Sequence, residues 1–382
     1  MKPFISSLPR KIVFGRGCIN DLPSYLRELG LNGKAMLVTG RRFARESGYL
    51  DKITSLLKSS GIEVVIFDRV EPNPLIETVE SGGRLAREKE IDFVIGFGGG
   101  SAMDAAKGIA VLASHGGRLE DYFYPAEVKP LTISIVEIAT TCGTGSEVTK
   151  YAVFSRGVRK YVIASDNIVP TLSILDAEVL KHLPKAITAH TAMDAFSHAL
   201  EAYYHVKSSQ FSEIFIRDSI KIIFENFERG VKGDLDARER LLYASMLAGL
   251  AITMSGTIVV HGLGYYLTQK FNIPHGLANA LFLNQFIEYA ANKIPERTLE
   301  LGNLLGLNLT DPKEISKFFI ENLNKLKKAA ELPMSLAEAG VPESEIPIIV
   351  EQALSYKRNL ENCIKPPTPE EVEELVRRAF RG

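Results

Sequence analysis

The first half of the chain alternates short apolar runs with segments whose apolar residues recur every three to four positions. The runs predict buried strands, and the periodic segments predict amphipathic helices. Strands that alternate with helices in this way are typical of a parallel sheet with right-handed crossovers. The predicted strands cover residues 4–14, 34–40, 63–68, 93–96, 131–136, 161–164 and 172–176, and the predicted helices cover residues 21–29, 47–60, 76–89 and 104–114.

From residue 178 onward the pattern predicts helices and no strand. The last of them opens with Thr368, Pro369 and Glu371, which fit a capping box with proline at the first helical position. We therefore expect an α/β domain over residues 1–180 and an all-helical domain over residues 181–382. The predicted helices cover residues 183–204, 212–227, 237–270, 277–291, 312–330 and 369–380.

Composition narrows the class of protein. The chain has 382 residues, 46% of them hydrophobic and 24% charged, with a net charge of −1. This balance does not fit a nucleic-acid binder, and no apolar run has the roughly 18 residues that a membrane span needs. The N-terminus lacks the apolar core of a signal peptide, and the three cysteines are scattered. We expect a cytoplasmic protein with reduced thiols, without nucleic-acid or membrane partners.

Two loops follow predicted strands and are candidates for binding a nucleotide. The strand at 93–96 leads into three glycines, 98–100, and Ser101, where the backbone could approach a pyrophosphate closely. Ser101 and Asp104 equally fit a helix capping box, with Lys107 as a solvated partner of Asp104. The loop 139–149 is rich in hydroxyls, for which a ribose or a carboxamide is a plausible partner.

The end of the strand at 34–40 carries a different signal. Gly40 leaves space there, and Arg41 and Arg42 offer bidentate donors where many NAD-binding proteins have an acidic residue. A solvated arginine pair at a helix start is the alternative. The pattern favours NADP(H) over NAD(H).

A carboxylate and three imidazoles in the second half suggest a metal site. Asp194 and His198 are four residues apart and share one face of a predicted helix, while His261 and His275 lie in apolar segments of small residues. Together they could form the first shell of a divalent metal with room for a substrate. Ordinary core or surface histidines are the alternative.

The whole chain resembles the iron-containing (group III) alcohol dehydrogenases. The resemblance rests on four motifs in order: Gly98-Gly99-Gly100-Ser101-x-x-Asp104-x-x-Lys107, the segment from Thr140 to Glu147, Asp194-Ala195-x-x-His198-x-x-Glu201, and His261 with Pro274-His275-Gly276.

The resemblance implies a Rossmann-like dinucleotide-binding domain, a helical metal domain and an active site in the cleft between them. It implies hydride transfer between the nicotinamide C4 and a primary alcohol or aldehyde, with Fe(II), or alternatively zinc, polarising the substrate oxygen. A homodimer or higher homo-oligomer is expected. The implied metal ligands are Asp194, His198, His261 and His275. The expected cofactor-binding residues, including the arginine pair, are Gly40, Arg41, Arg42, Gly98, Gly99, Gly100, Ser101, Asp104, Thr140, Thr141, Thr144, Ser146 and Lys160.

The chain departs from the family pattern at two positions. Many members have a histidine four residues after the third ligand, where it is thought to pass the alcohol proton to solvent; this chain has Tyr265. A tyrosine with a pKa near 10 is a poorer relay near neutral pH. Cys142 replaces a small residue without a thiol, and we expect it to be buried and inert.

Several alternatives remain at this point. A glycerol or diol dehydrogenase on the same fold would need polar residues around the substrate, whereas the expected lining residues Val153, Phe154, Met254 and Ile258 are apolar. A protein that binds nucleotide and metal without turnover is the second alternative. Sugar-phosphate cyclisation would need a basic cluster beside the metal, which the segment 194–275 does not suggest. His115, His182 and His205 are expected at the surface, and His190 either near the metal ligands or as an ordinary histidine.

Overall fold

The computed structural model describes residues 2–382. The chain divides into two compact units. The α/β unit comprises residues 7–141 and 145–183, and the helical unit comprises residues 2–6, 142–144 and 184–382.

The α/β unit is built on a six-stranded parallel sheet and a separate two-stranded antiparallel hairpin. Its strands are β1 Lys11–Phe14, β2 Lys34–Gly40, β3 Glu63–Val70, β4 Phe93–Gly98, β5 Ser134–Ala139, β6 Tyr151–Arg156, β7 Arg159–Ala164 and β8 Leu172–Leu175. The sheet order is β1-β8-β5-β4-β2-β3, and β6 pairs with β7. Its helices are α1 Leu22–Glu28, α2 Phe43–Glu46, α3 Tyr49–Ser59, α4 Ile76–Glu88 and α5 Gly100–His115.

Helices cover both faces of the sheet, as the apolar strands predict. Met36 and Val38 of β2 point to the face covered by α4 and α5, whereas Ala35 and Leu37 point to the face covered by α1 and α3. The parallel α/β architecture predicted from the sequence is thus confirmed.

The largest differences between the predicted and the observed strands are at β1, β5 and β6. The segment expected at 4–14, with a break at Pro9, is a strand only after that proline, as β1; Pro9 lacks the N–H that a ladder needs. The strand expected at 131–136 begins at Ser134 and continues to Ala139. The sequence analysis did not suggest β6, which forms an antiparallel hairpin with β7 around the two-residue turn Gly157-Val158.

The helical unit contains ten α-helices in its described residues. Thr368 and Glu371 form the predicted capping box at the last one: the Thr368 hydroxyl accepts from the Glu371 N–H and the Glu371 carboxylate accepts from the Thr368 N–H. The helices are α6 Lys185–Tyr203, α7 Gln210–Val231, α8 Leu235–Met254, α9 Val259–Lys270, α10 His275–Lys293, α11 Pro295–Leu305, α12 Pro312–Ala329, α13 Ile346–Ser355, α14 Lys357–Glu361 and α15 Pro369–Arg381.

The single helix predicted over 237–270 was wrong. Helix α8 ends at Met254, α9 begins at Val259, and their axes differ by 113°. Gly256 has a φ of 121°, which a continuous right-handed helix cannot contain. Within residues 2–382, no single helix is long and apolar enough to cross a membrane; this bent pair passes the length and composition test only when its two helices are taken together.

Candidate metal centre and nucleotide turn

Helix α6 carries two of the candidate metal ligands on a buried face. Asp194 and His198 are one helical turn apart, as predicted, and both are almost fully buried. Residues 192–203 are all buried, so this part of α6 lies inside the helical unit. Polar groups at such a depth need partners, and these come from two other helices.

His261 of α9 and His275 of α10 meet the α6 pair. The Oδ1 atom of Asp194 lies 4.0 Å from Nε2 of His198 and 3.8 Å from Nε2 of both His261 and His275. The candidate ligand atoms of Asp194, His261 and His275 lie within 4.8 Å of one another. The His198 ring stacks on His261 with centroids 4.8 Å apart. The structure therefore brings all four predicted ligand residues together.

The donor set suits a divalent transition metal. Asp194 and His261 have 3% exposed side chains, whereas the His275 side chain is 25% exposed, so the cluster is closed on one side and accessible on the other. One carboxylate with several imidazoles suits iron as well as zinc. Burial lowers the pKa of His198. It thereby favours the neutral imidazole that a metal needs.

Asn279 marks the point on which the cluster converges. Its Nδ2 atom donates to Asp194 Oδ1 at 3.0 Å and lies 3.2 Å from His261 Nε2 and 3.4 Å from His275 Nε2. The Asp194 oxygen and the two histidine nitrogens, from three helices, thus all face the positively polarised NH₂ group of Asn279. This is the electrostatic environment that a cation would need, so the residues present fit a metal.

Glu201, one turn beyond His198 on α6, completes the cluster. Its Oε2 atom accepts a hydrogen bond from His261 Nδ1, and its side chain is fully buried. Its Oε1 atom accepts from the backbone N–H groups of Ile258 at 3.0 Å and His261 at 3.2 Å. The sequence motif contained Glu201 without a role. The signal was its position, seven residues after Asp194 and on the same helix face.

Helices α6 and α10 approach each other closely at Gly276. A Cβ atom added there would lie 1.9 Å from the carbonyl oxygen of His190 and 2.9 Å from Cβ of Asp194. The glycine after His275 therefore allows that histidine to reach Asp194. His190 contributes its backbone to this approach.

Tyr265 lies against the histidines. Its ring stacks on His275 with centroids 5.8 Å apart and meets Tyr356 edge-on at 4.9 Å. Burial raises the pKa of Tyr265 well above its ordinary value. The phenol therefore keeps its proton throughout the physiological pH range.

The glycine turn of the α/β unit lies at the carboxyl ends of two neighbouring strands. Gly98 ends β4, and its carbonyl accepts from the N–H of Thr140, directly after β5. A Cβ at Gly99 would lie 3.2 Å from Thr141 Cγ2. Helix α5 begins at Gly100. A crevice at the carboxyl ends of parallel strands is where open α/β sheets bind nucleotides.

The predicted capping box at Ser101 is not formed. Helix α5 begins at Gly100, so Ser101 lies inside the helix and not at its N-cap, and the Ser101 hydroxyl accepts from the N–H of Asn73. Asp104 accepts from the Ser146 hydroxyl at 2.7 Å and from the Val153 N–H at 3.0 Å. Burial raises the pKa of Asp104, while the nearby charges of Lys107 and Lys160 oppose the shift.

Lys107 is not a solvated partner of Asp104, because its side chain is fully buried. Its ammonium group donates to the carbonyl oxygens of Ser146, Thr149 and Tyr151 at 2.6–2.9 Å and to two hydroxyls at 3.1 and 3.2 Å. It therefore holds the segment 146–151 in place. Only the fold could reveal this, since the acceptors lie about forty residues away.

The arginine pair is placed at the end of β2. Arg41 donates to the Arg69 carbonyl and to Glu71 Oε2, both at 3.2 Å. Glu71 is itself held by the Leu75 N–H and the Thr78 hydroxyl. The Arg42 side chain is 83% exposed and pairs with Glu46 one turn on. Both arginines thus belong to the surface at this edge of the sheet.

Other expectations have mixed outcomes. His205 was predicted at the surface, but it is fully buried, with Nδ1 accepting from the Lys207 N–H. Its backbone pairs with Cys363, a contact across 158 positions that no local pattern signals.

His182 is exposed as expected. Cys142 is buried, and burial raises its pKa to about 11, as an inert thiol requires. The Thr144 and Lys160 assignments remain predictions.

Comparison with known proteins decides the family. A model described as iron-containing alcohol dehydrogenase matches residues 9–177, and a model of the C-terminal part of the Fe-containing alcohol dehydrogenase family matches residues 188–380. The chain belongs to the iron-containing alcohol dehydrogenase family. It is a metal-dependent, NAD(P)-linked alcohol dehydrogenase.

Relatives within the iron-containing alcohol dehydrogenases cover nearly the whole chain. The NADPH-dependent butanol dehydrogenase of Clostridium saccharobutylicum is 34% identical over 91% of both chains. The NAD-dependent methanol dehydrogenase of Bacillus methanolicus is 29% identical over 98% of this chain and 99% of its own. The crystal structure of a 1,3-propanediol oxidoreductase is similar with a TM-score of 0.92 and 33% identity, over 99% of this chain and 100% of that one.

Proposed function

We propose that Asp194, His198, His261 and His275 hold Fe(II) as the catalytic metal. The observation that carries the proposal is the approach of three histidine Nε2 atoms to within 4.0 Å of one carboxylate oxygen. When bound, the metal would supply Lewis-acid polarisation of the substrate oxygen. The donor set also suits zinc, so iron is preferred here because of the family.

The protein's own residues position the reaction around this centre. Asp194 provides the carboxylate charge, and the exposed side of His275 leaves access for an alcohol or aldehyde. Tyr265 stacks on His275, at the position where the family resemblance implies a histidine that helps to pass the alcohol proton to solvent. We propose that it orders the route of proton release through its hydroxyl, and that its raised pKa makes release inefficient at neutral pH.

We propose that the nucleotide binds at the glycine turn of the α/β unit. Its pyrophosphate would lie on the backbone of residues 98–101 at the start of α5, with the nicotinamide and its ribose near Thr140, Thr141, Thr144 and Ser146. Asp104 would lie beside the nicotinamide ribose, and Lys160 would lie by the cofactor. The adjacency of Gly98 with Thr140 and of Gly99 with Thr141 supports this proposal.

We propose NADP(H) as the preferred cofactor over NAD(H). Gly40 leaves space at the end of β2, and Arg41 and Arg42 offer guanidinium donors for a 2′-phosphate. The ion pair of Arg41 with Glu71 holds one guanidinium at this edge. The name of the Clostridium relative is consistent with NADPH, whereas that of the Bacillus relative points to NAD.

The proposed substrates are simple primary alcohols and the corresponding aldehydes. Met254 and Ile258, which flank the break between α8 and α9, are apolar and buried. A diol such as 1,3-propanediol is the second candidate, supported by the likeness to 1,3-propanediol oxidoreductase. We further propose a cytoplasmic homodimer or higher homo-oligomer.

The test is metal-dependent turnover. Protein stripped of metal and reloaded anaerobically with Fe(II) should oxidise NADPH with butanal faster than NADH, and a chelator should abolish the activity. Asp194→Ala and His261→Ala should lose metal binding and turnover but keep nucleotide binding. Wild-type turnover in either variant would exclude this ligand set. Activity with NADH alone would exclude the phosphate role of the two arginines.

A further inference from the structure

One buried carboxylate connects the two helices that carry most of the candidate ligands. Glu201 projects from α6, which also carries Asp194 and His198, and all its hydrogen bonds in this region go to the start of α9, which carries His261. The side chain is fully buried. A carboxylate at this depth is tolerated only where hydrogen bonds satisfy both its oxygens.

The first of these contacts caps a helix. Helix α9 begins at Val259, and the preceding residue, Ile258, has an apolar side chain that cannot cap it. The Oε1 atom of Glu201 accepts the N–H groups of Ile258 and His261 in that first turn, where such groups otherwise have no helical partner. The negative charge is also favourable at a helix N-terminus. Glu201 therefore fixes the position of the α9 backbone relative to α6.

The second contact fixes the ring of His261. Glu201 Oε2 accepts from Nδ1, so the proton of a neutral imidazole is on Nδ1. On the other side of the ring, the Nδ2 atom of Asn279 lies 3.2 Å from Nε2, and this NH₂ group can only donate. Both neighbours thus require a lone pair on Nε2, the atom that faces Asp194 Oδ1 at 3.8 Å.

We propose that Glu201 is a positioning residue for the metal: it sets the tautomer and orientation of His261 while it holds the helix that carries this histidine. Carboxylates that orient ligating histidines raise ligand basicity and metal affinity in other metal sites. The inference rests on the proposed metal function of the four ligands. It adds a role for a residue outside that set.

A glutamine at this position separates positioning from packing. Glutamine has nearly the volume of glutamate but accepts on one atom only and donates from the other. If its oxygen faces the two backbone N–H groups, its NH₂ group forces the His261 proton onto Nε2. If its oxygen faces Nδ1, its NH₂ group opposes two donors. Neither orientation satisfies all three donors that Glu201 now accepts.

The experiment measures Zn(II) and Co(II) affinity by chelator competition, together with the visible spectrum of the Co(II) protein. Glu201→Gln should bind both metals about 10–100-fold more weakly than the wild type and change the Co(II) spectrum, with nucleotide binding unaltered. Tyr204→Phe is the matched control, because it removes another buried hydrogen bond near the end of α6, 2.9 Å long, to Thr298. It should lower stability without changing the metal spectrum.

The outcomes distinguish the two proposals. A wild type that binds neither metal would remove the metal function itself. A wild type that binds, with a Glu201→Gln variant of equal affinity and unchanged spectrum, would overturn only the role of Glu201. Nitrogen NMR of labelled histidines in the Zn(II)-loaded wild type does not require the Glu201→Gln variant to fold. An Nδ1-protonated His261, assigned by its loss in His261→Gln, is expected, and an Nε2-protonated one would overturn the proposal.

Discussion

Each of the last two proposed histidine ligands is followed by a glycine, and we predict different effects of alanine at these two positions. At Gly276, a Cβ would lie 1.9 Å from the carbonyl oxygen of His190, whereas real Cβ contacts essentially never fall below 3.0 Å. At Gly262, it would lie 3.4 Å from Cβ of Asn359, an ordinary contact. The two variants make the same chemical change beside the same proposed metal centre.

The size of the effect follows from the distances. The added Cβ would lie 1.9 Å from the His190 oxygen, and the shortest tolerable contact is about 3.0 Å. Helix α10 must therefore move at least 1.1 Å from α6, the difference between the two distances. The obstacle is backbone, which cannot rotate away as a side chain could. Metal–ligand distances tolerate only about 0.2 Å, so His275 would no longer share a metal with Asp194. We expect Gly276→Ala to weaken metal binding by about 100-fold or more and to lose turnover.

The control isolates the steric cause. Alanine has the better helix propensity by about 0.5–1 kcal/mol, so propensity alone would stabilise both variants. Gly262→Ala should therefore keep its metal affinity and be as stable as the wild type or slightly more so. The assay is Zn(II) affinity by chelator competition, with urea unfolding in parallel. A Gly276→Ala variant that binds Zn(II) like the wild type would refute the reasoning.

Three further predictions concern other parts of the chain. Lys107→Met should cost about 2–4 kcal/mol in urea unfolding, because it leaves buried carbonyls unpaired, and should weaken NADPH binding measured by nucleotide fluorescence; unchanged stability would contradict this. Burial raises the pKa of Glu147 from 4.5 to about 7, so stability due to its neutral form is complete below pH 4.5 and is lost as pH rises through about 7. The unfolding free energy of Glu147→Gln, relative to that of the wild type, should therefore be about 3 kcal/mol higher at pH 8 than at pH 4.5 in urea melts. Parallel pH profiles of the two proteins would exclude this role. Tyr265→His should raise the ratio of the alcohol oxidation rate at pH 7 to the rate at pH 9 by about 10-fold, since imidazole titrates near neutrality. An unchanged ratio would remove residue 265 from the proton route.

Local patterns were sufficient for most elements of the α/β unit and for several site hypotheses, but they missed, among others, β6, α11, α13 and α14. The alternation of apolar strands and amphipathic helices correctly predicted the parallel α/β architecture, because burial on both faces demands continuous apolar strands. The spacing of Asp194 and His198 predicted a shared helix face, since the period of a helix is a local property. The glycine turn was a candidate because three consecutive glycines after a strand allow the backbone to approach a phosphate closely, although a plain turn was an equal alternative. The metal and nucleotide assignments of these residues remain proposals.

Other properties depended on contacts between distant segments. Lys107 and Asp104 look like an exposed helix pair in sequence, but the fold buries Lys107 under a segment about forty residues away. His205 looked like a surface histidine and is buried beside Cys363. The only local sequence signal for the break between α8 and α9 is Gly256. This glycine has a positive φ because the chain must turn there.

Glu201 and Gly276 illustrate the division most clearly. The sequence by itself determined which residue types lie on each helix and with what spacing, because these follow from the helical period and from apolar patterning. Only the tertiary structure decided that the Glu201 carboxylate meets the first turn of α9, and that Gly276 touches the backbone at His190. The physical reason is that a ligand set, its hydrogen-bond partners and its steric clearances are distances between helices, and helix packing depends on the whole core.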